Sequence, residues 1–232
     1  MCWDPGVPEP LLVDVFCGPG HTAGNRLAVI LDDPSGPVQR QRRAAELGYS
    51  ETVFVDDGSA ADIYTPSVRL PFAGHPLVGA SWLLRHRLGS CEVLHPAAGA
   101  VPAWAEGGFG WVSGRPEWVT GRTTRQLASP AEVEALPGPP DGTGFLYVWA
   151  WTDEPAGSVR ARAFPRRGDA IVEDEATGAA ALRLTAELGR SLTVRQGAGS
   201  EIRTRLLPEG RIGVGGRVRQ VRPDPQDARR TS

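Results

Sequence analysis

At 232 residues, 41% hydrophobic and 22% charged, the chain can bury one large core or two small ones and has the make-up of an ordinary globular protein. A formal charge of -2 argues against a nucleic-acid binder working through a basic surface, and no run of about 18 apolar residues is present to span a membrane. All 25 basic residues are arginine, which rules out a lysine Schiff base and a Walker A phosphate loop.

The first residues, Met1-Cys2-Trp3-Asp4-Pro5, lack the basic start and apolar stretch of a secretion signal, so a cytoplasmic protein is expected. Residues 1–10 are proline-rich and read as a lead-in. Residues 11–16 read as a strand, 17–25 as a glycine-rich turn and 27–31 as a second strand. The glycines of the turn do not follow G-x-G-x-x-G, so it reads as a wide hairpin and a dinucleotide site has little support. Residues 38–47 have helical spacing, with Gly48 as the stop signal. Residues 49–55 turn into a strand suited to burial on both faces, with Glu51 at its entrance. The run 63–70 reads as extended.

Leu70-Pro71-Phe72-Ala73-Gly74-His75-Pro76 ends that run and opens a helix. Pro76 suits the first turn, where a missing N–H costs nothing. Leu77, Val78, Ala80, Trp82, Leu83 and Leu84 make the helix apolar on most sides, the mark of a buried one. Arg85, His86 and Arg87 suit its negative end, and Gly89 can cap it. Free N–H groups near Gly74 and His75 therefore face the interior or a cleft, where they form an anion site. Residues 91–95, 99–105 and 108–112 read as short strands.

Residues 113–142 lack periodicity and are rich in Pro, Gly, Thr and Arg, which predicts a crossing between two halves, residues 1–115 and 116–232. Residues 145–151 and 159–164 read as strands. Glu173-Asp174-Glu175-Ala176-Thr177-Gly178 then leads into a second small-residue helix near 177–188, with Gly189 after it. Residues 192–196, 201–207, 211–214 and 217–221 read as strands, the last expected to return to the first half, and 223–232 as a frayed end. The fold class is α+β, with two similar halves, each of several antiparallel strands around one buried helix.

Cys2, Cys17 and Cys91 have no C-x-x-C spacing, which argues against both a zinc site and a disulfide framework. Cys17 and Cys91 read as small buried hydrophobes. His21 stands open between a surface turn and a cleft wall, and His86 and His95 read as structural. Trp82, Trp104, Trp111, Trp149 and Trp151 read as packing. Arg166 and Arg167 read as surface partners of Glu173, with contact to a substrate as the alternative.

The ordered set Asp14-Val15-Phe16, Gly24-Asn25, Ser50-Glu51-Thr52-Val53-Phe54, Thr65-Pro66, the Pro-Phe-Ala-Gly-His-Pro string at 71–76, Glu173-Asp174-x-Ala176-Thr177-Gly178 and Gly215-Gly216 resembles the PhzF-like family of the diaminopimelate epimerase fold. The resemblance runs from about residue 11 to 221. It implies two pseudo-symmetric α+β halves, each a curled, mostly antiparallel sheet around a central helix. It also implies a cofactor-independent isomerase or epimerase that moves a proton on a small carboxylate, in the biosynthesis of a specialised metabolite. A non-catalytic relative binding a small acid or a protein, and a cyclase using the same acid, are the alternatives. A C2 homodimer through sheet edges is the assembly implied.

The thiol positions of the parent epimerases fall on Ala73 and Thr177, so a two-thiol racemase is not expected. The family's proton carrier maps onto Glu51, its Gly-His-Pro histidine onto His75 and its aspartate onto Asp174. Substrate binding falls to Gly74, Thr177, Gly178 and Ala179, with N–H groups of both helix starts holding a carboxylate and no metal or organic cofactor taking part. Burial and the neighbouring acid are expected to raise the pKa of Glu51. The chain departs from the family at Glu175, where proline is usual, at Ala179, where serine is usual, and in the turn that holds His21.

Overall fold

The computed structural model describes residues 8–142, 144–167 and 169–222. Cys2, most of the lead-in and the expected frayed end at 223–232 lie outside the described residues. Leu11–Cys17 (β1) and Asn25–Leu31 (β2) form an antiparallel pair across the glycine-rich turn. Pro37–Leu47 (α1) leads to Glu51–Asp56 (β3), which runs parallel to β2. Ala60–Tyr64 (β4) and Arg69–Leu70 (β5) follow, then Gly74–Leu88 (α2), Val93–Leu94 (β6), Val101–Glu106 (β7) and Phe109–Gly114 (β8). Thr123–Gln126 (β9), Pro130–Glu134 (α3), Leu146–Asp153 (β10), Ser158–Phe164 (β11), Arg166–Arg167 (β12) and Ala170–Ile171 (β13) come next. The described chain ends with Gly178–Leu188 (α4), Leu192–Gln196 (β14), Ser200–Leu206 (β15) and Ile212–Val221 (β16).

One sheet carries the order β5-β4-β3-β2-β1-β16-β15-β14-β11-β10-β9, with β8 paired to β16, β7 to β8 and β6 to β7. Most pairings are antiparallel; β2–β3, β9–β10 and β11–β14 are parallel. The last strand does return to the first half: Val218 of β16 lies opposite Val15 of β1, while Gly215 lies opposite Arg203 of β15 and Trp111 of β8.

Helix α2 packs against β1, β2, β3, β8 and β16, and α4 against β14, β15 and β16. Leu77, Val78, Leu83 and Leu84 of α2 are at most 1% exposed. Each such side chain contributes about 1.5–3 kcal/mol by leaving water, which anchors the helix from inside the sheet. Gly89 closes α2 in the left-handed conformation.

Three expectations need correction. The run 63–70 is broken after Tyr64 by a tight turn. Pro66 can give no ladder hydrogen bond, and Thr65 Oγ1 accepts from the N–H groups of Ser67 and Val68. The strands expected at 211–214 and 217–221 are one strand, β16. Its central Gly215 and Gly216 have no Cβ because Trp111 ring atoms and Phe16 Cδ1 stand 2.3 and 2.4 Å from where a Cβ would lie. The stretch 113–142 contains β9 and α3. Both are short and mostly exposed, so neither shows an apolar period.

Candidate active site

The starts of the two buried helices meet. A Cβ on Gly178 would lie 3.2 Å from the backbone nitrogen of His75 and 3.0 Å from Phe16 Cζ. A Cβ on Gly74 would lie 3.5 Å from the backbone of Gly178. The lack of a side chain at Gly178 lets the two ends approach this closely, while a Cβ at Gly74 would make only ordinary contact. The N–H groups of Gly74, His75, Gly178 and Ala179 fall in first helical turns, which lack intrahelical acceptors. Two positive helix ends thus bear on one place.

Glu51, the first residue of β3, reaches His75 of α2. Its Oε2 is 2.8 Å from His75 Nδ1, and the Glu51 side chain is 15% exposed. On the other side of the ring, Nε2 lies 3.1 Å from the backbone oxygen of Asn25. A carbonyl can only accept, so Nε2 carries a proton. The contact between Nδ1 and Oε2 then contains one further proton, whether as carboxylate and imidazolium or as carboxylic acid and imidazole. In either form the pair is neutral.

Asp174 is buried beside this pair and nearly saturated with donors. Its Oδ1 accepts from Asn25 Nδ2 at 3.1 Å and Arg167 Nη2 at 2.9 Å, with Ser50 Oγ at 3.3 Å. Its Oδ2 accepts from Thr177 Oγ1 at 2.6 Å. Gln196, fully buried, donates to the Asp174 carbonyl at 2.8 Å and accepts from the Thr177 N–H at 3.2 Å. Glu175 accepts from Ser200 Oγ at 2.7 Å and from Ala198 N at 3.0 Å, while Ser200 Oγ accepts from Gly24 N at 3.1 Å. The residue after Asp174 therefore ties the glycine-rich turn, and with it Asn25, to the second helix start.

The two carboxylates titrate in opposite directions. Burial pushes Glu51 up, but the hydrogen bond and charge of His75, with the charges of Arg167 and Arg122, outweigh it and hold the carboxyl below its ordinary value. Burial, followed by the charge of Glu51, holds Asp174 above its ordinary value. This reverses the expectation for Glu51. The cause is the imidazole in direct contact, which a count of burial and nearby acids leaves out.

The sequence-derived residues Glu51, His75, Asp174, Gly74, Thr177, Gly178 and Ala179 thus come together. Thr177 has its hydroxyl committed to Asp174 and Gln196. Ala73 and Thr177, at the parent thiol positions, are the residues immediately before α2 and α4. Glu173 faces away and is held bidentately by Arg162 at 2.8 and 2.7 Å, leaving Arg167 to Asp174 rather than to the surface. Asn25, Ser50, Gln196, Arg167 and Arg122 are site residues that sequence reasoning did not assign. Asn25 and Ser50 lie inside the motif strings, so a signal was there; Gln196 and Arg122 lie in none. His21, His86 and His95 are exposed. Cys17 is fully buried, and burial with the neighbouring Asp14 raises its thiol to about 11. Among the described residues no group of three or more His, Cys, Asp or Glu side chains is placed to hold a metal. No helix among them is long and apolar enough to cross a membrane.

Residues 13–113 match the family model for phenazine biosynthesis-like proteins. Over 89 residues the chain is 45% identical to the trans-2,3-dihydro-3-hydroxyanthranilate isomerase of Pseudomonas fluorescens, covering 34% of this chain and 32% of that protein. It is 38% identical over 104 residues to an uncharacterised isomerase of Pasteurella multocida, covering 41% of this chain and 36% of that protein. These matches span about a third of the length of the curated relatives. A predicted epimerase from Pseudomonas aeruginosa shares the fold with a TM-score of 0.70 and 25% identity, over 93% of this chain and 97% of that one.

Proposed function

We propose, from its likeness to phenazine biosynthesis-like proteins, that this chain is a PhzF-like, cofactor-independent isomerase acting on a small unsaturated carboxylate in phenazine-type biosynthesis. The observation that carries the reading is the 2.8 Å contact of Glu51 Oε2 with His75 Nδ1, at the point where two helix N-termini converge. In the reaction a C–H bond next to an unsaturated system breaks and its proton passes to the Glu51 carboxylate. A proton then returns to another carbon of the same conjugated system, so atoms and electrons balance without an oxidant or reductant. His75 holds Glu51 in place and accommodates the shared proton. Asp174, fixed by Arg167, Asn25 and Thr177, orients the substrate. The N–H groups of Gly74, His75, Gly178 and Ala179 receive its anionic group.

The test is incubation with trans-2,3-dihydro-3-hydroxyanthranilate, the compound that the Pseudomonas fluorescens relative is named for, in heavy water. An isomerised product carrying deuterium at carbon, detected by mass spectrometry and lost in Glu51→Gln, is the expected result. Unchanged compound with no label overturns the reading for this substrate.

A further inference from the structure

The charges around Glu51 and Asp174 do not cancel. Glu51 and His75 share one proton and are neutral together, and Asp174 is paired with Arg167 at 2.9 Å. Arg122 is left over. It sits between the 3-10 turn Pro116–Trp118 and β9, and its charge acts on both Glu51 and Asp174. Among the described residues it forms no ion pair within 4.0 Å, and its Nε is buried without a hydrogen-bond partner. A half-buried guanidinium whose Nε–H is buried and unpaired is costly unless something else completes it.

What stands beside it is an aromatic ring. The Arg122 guanidinium carbon lies 6.0 Å from the centroid of Phe145, and Thr123 N donates to the Phe145 carbonyl at 3.1 Å. Phe145 is 39% exposed and has a φ of 62°, a conformation that bulky residues rarely adopt. Its backbone is held there by a 2.7 Å hydrogen bond from its N–H to the Phe164 carbonyl. Such conformations cluster where a side chain must be presented in one place.

We propose that Arg122 is the counter-charge for a monoanionic substrate, donating to the same carboxylate that the helix-start N–H groups receive, while Phe145 supplies an apolar wall for an unsaturated ring. This rests on the reading of the cleft as a site for small carboxylates. It adds that the cleft, one negative charge short of balance, selects a single carboxylate over its neutral amide. The planar guanidinium fork matches a carboxylate in a way that a point charge does not.

Binding of anthranilate and 3-hydroxyanthranilate, with anthranilamide as the neutral control, tests this by calorimetry at pH 7. Arg122→Gln is expected to weaken both carboxylates by roughly 10–100-fold while leaving anthranilamide unchanged. Arg122→Lys should fall between wild type and Arg122→Gln. Because Arg122→Gln removes a half-buried charge that has no ion-pair partner among the described residues, its melting temperature without ligand should not fall. Should that variant fail to fold, the arginine Nε–Hε resonances of the wild type provide the second measurement, one of which must shift with either carboxylate and not with anthranilamide. Equal carboxylate affinity in wild type and Arg122→Gln, or no carboxylate binding to the wild type, overturns the proposal. Carboxylate binding that depends on Arg122, in a protein that leaves the dihydro compound unchanged, upholds it while the isomerase reading fails. Normal turnover with unchanged kcat/KM in Arg122→Gln does the reverse.

Discussion

His75 Nδ1 and Glu51 Oε2 stand 2.8 Å apart with a single proton between them, because the far nitrogen of the ring is already bound to the Asn25 carbonyl. Glu51→Gln keeps the shape and hydrogen bonding of this pair but removes the group that exchanges protons with carbon. Turnover should fall by at least about 10²-fold with substrate affinity largely kept, as read from steady-state kinetics and calorimetry. Asp174→Asn should cost less, since its role is orientation.

The opposite shifts of the two carboxylates predict opposite pH trends in stability. Glu51 lies below its ordinary value, so its contribution is present above about pH 4.3, the unfolded value, and is lost as pH falls through the folded one. Asp174 lies above its ordinary value, so its ionised form opposes folding at neutral pH and its protonation on acidification removes that penalty. The stability lost in Glu51→Gln should therefore shrink between pH 7 and the acid range, and that lost in Asp174→Asn should grow. Urea unfolding across this range checks both, and slopes of the same sign would contradict the opposite shifts of the two carboxylates.

Gly178→Ala tests the meeting of the helix starts. The added methyl would press on Phe16 Cζ at 3.0 Å and on the His75 nitrogen at 3.2 Å. Carboxylate binding and turnover should fall together, while circular dichroism stays that of the folded protein. Intact binding would mean that the substrate does not use the N–H groups of these two turns.

Glu175→Ala should release the clamp through Ser200 and Ala198 onto Gly24. Hydrogen bonds to a charged group contribute roughly 1.5–3 kcal/mol each, so denaturant midpoints should drop measurably. KM should rise as Asn25 loses its fixed position. A variant as stable and active as wild type would reduce Glu175 to a surface acid.

Cys17→Ala and Cys91→Ala should leave turnover near wild type, and iodoacetamide should label neither native thiol. Both are buried, and burial keeps both protonated at neutral pH.

What could be read from the chain before any coordinates were those features whose signal is local. The apolar circumference of α2, the small residues of α4, the alternation in β14 and the stop signals at Gly89 and Gly189 all state their structure within a dozen residues. The site strings did so as well: Ser50-Glu51, Gly74-His75 and Asp174 through Ala179 come from three separate elements and converge. What could not be read depends on partners distant in sequence. Arg167 takes Asp174 rather than Glu173 because Arg162, on β11, already occupies Glu173. Edge strand β9 offers no period, since three of its four residues are exposed, and so no local pattern marks Arg122 ahead of it. The acidity of Glu51 is not legible in the sequence, because one imidazole at hydrogen-bond distance outweighs burial.

The placement of β16 has a consequence for biosynthesis on the ribosome. Strands β1 and β8 wait for Ile212–Val221, and Phe16 waits for Gly216, so the earlier part of the chain cannot finish its sheet while it is being made. Three strand edges, those of β1, β8 and β15, stay unpaired until this stretch has emerged, which makes the nascent chain a slow, late-closing folder exposed to edge-to-edge association. A chain stopped at Arg211 should therefore be recovered as aggregate rather than as a smaller folded protein, and supplying residues 212–222 as a separate peptide during refolding should restore solubility in part.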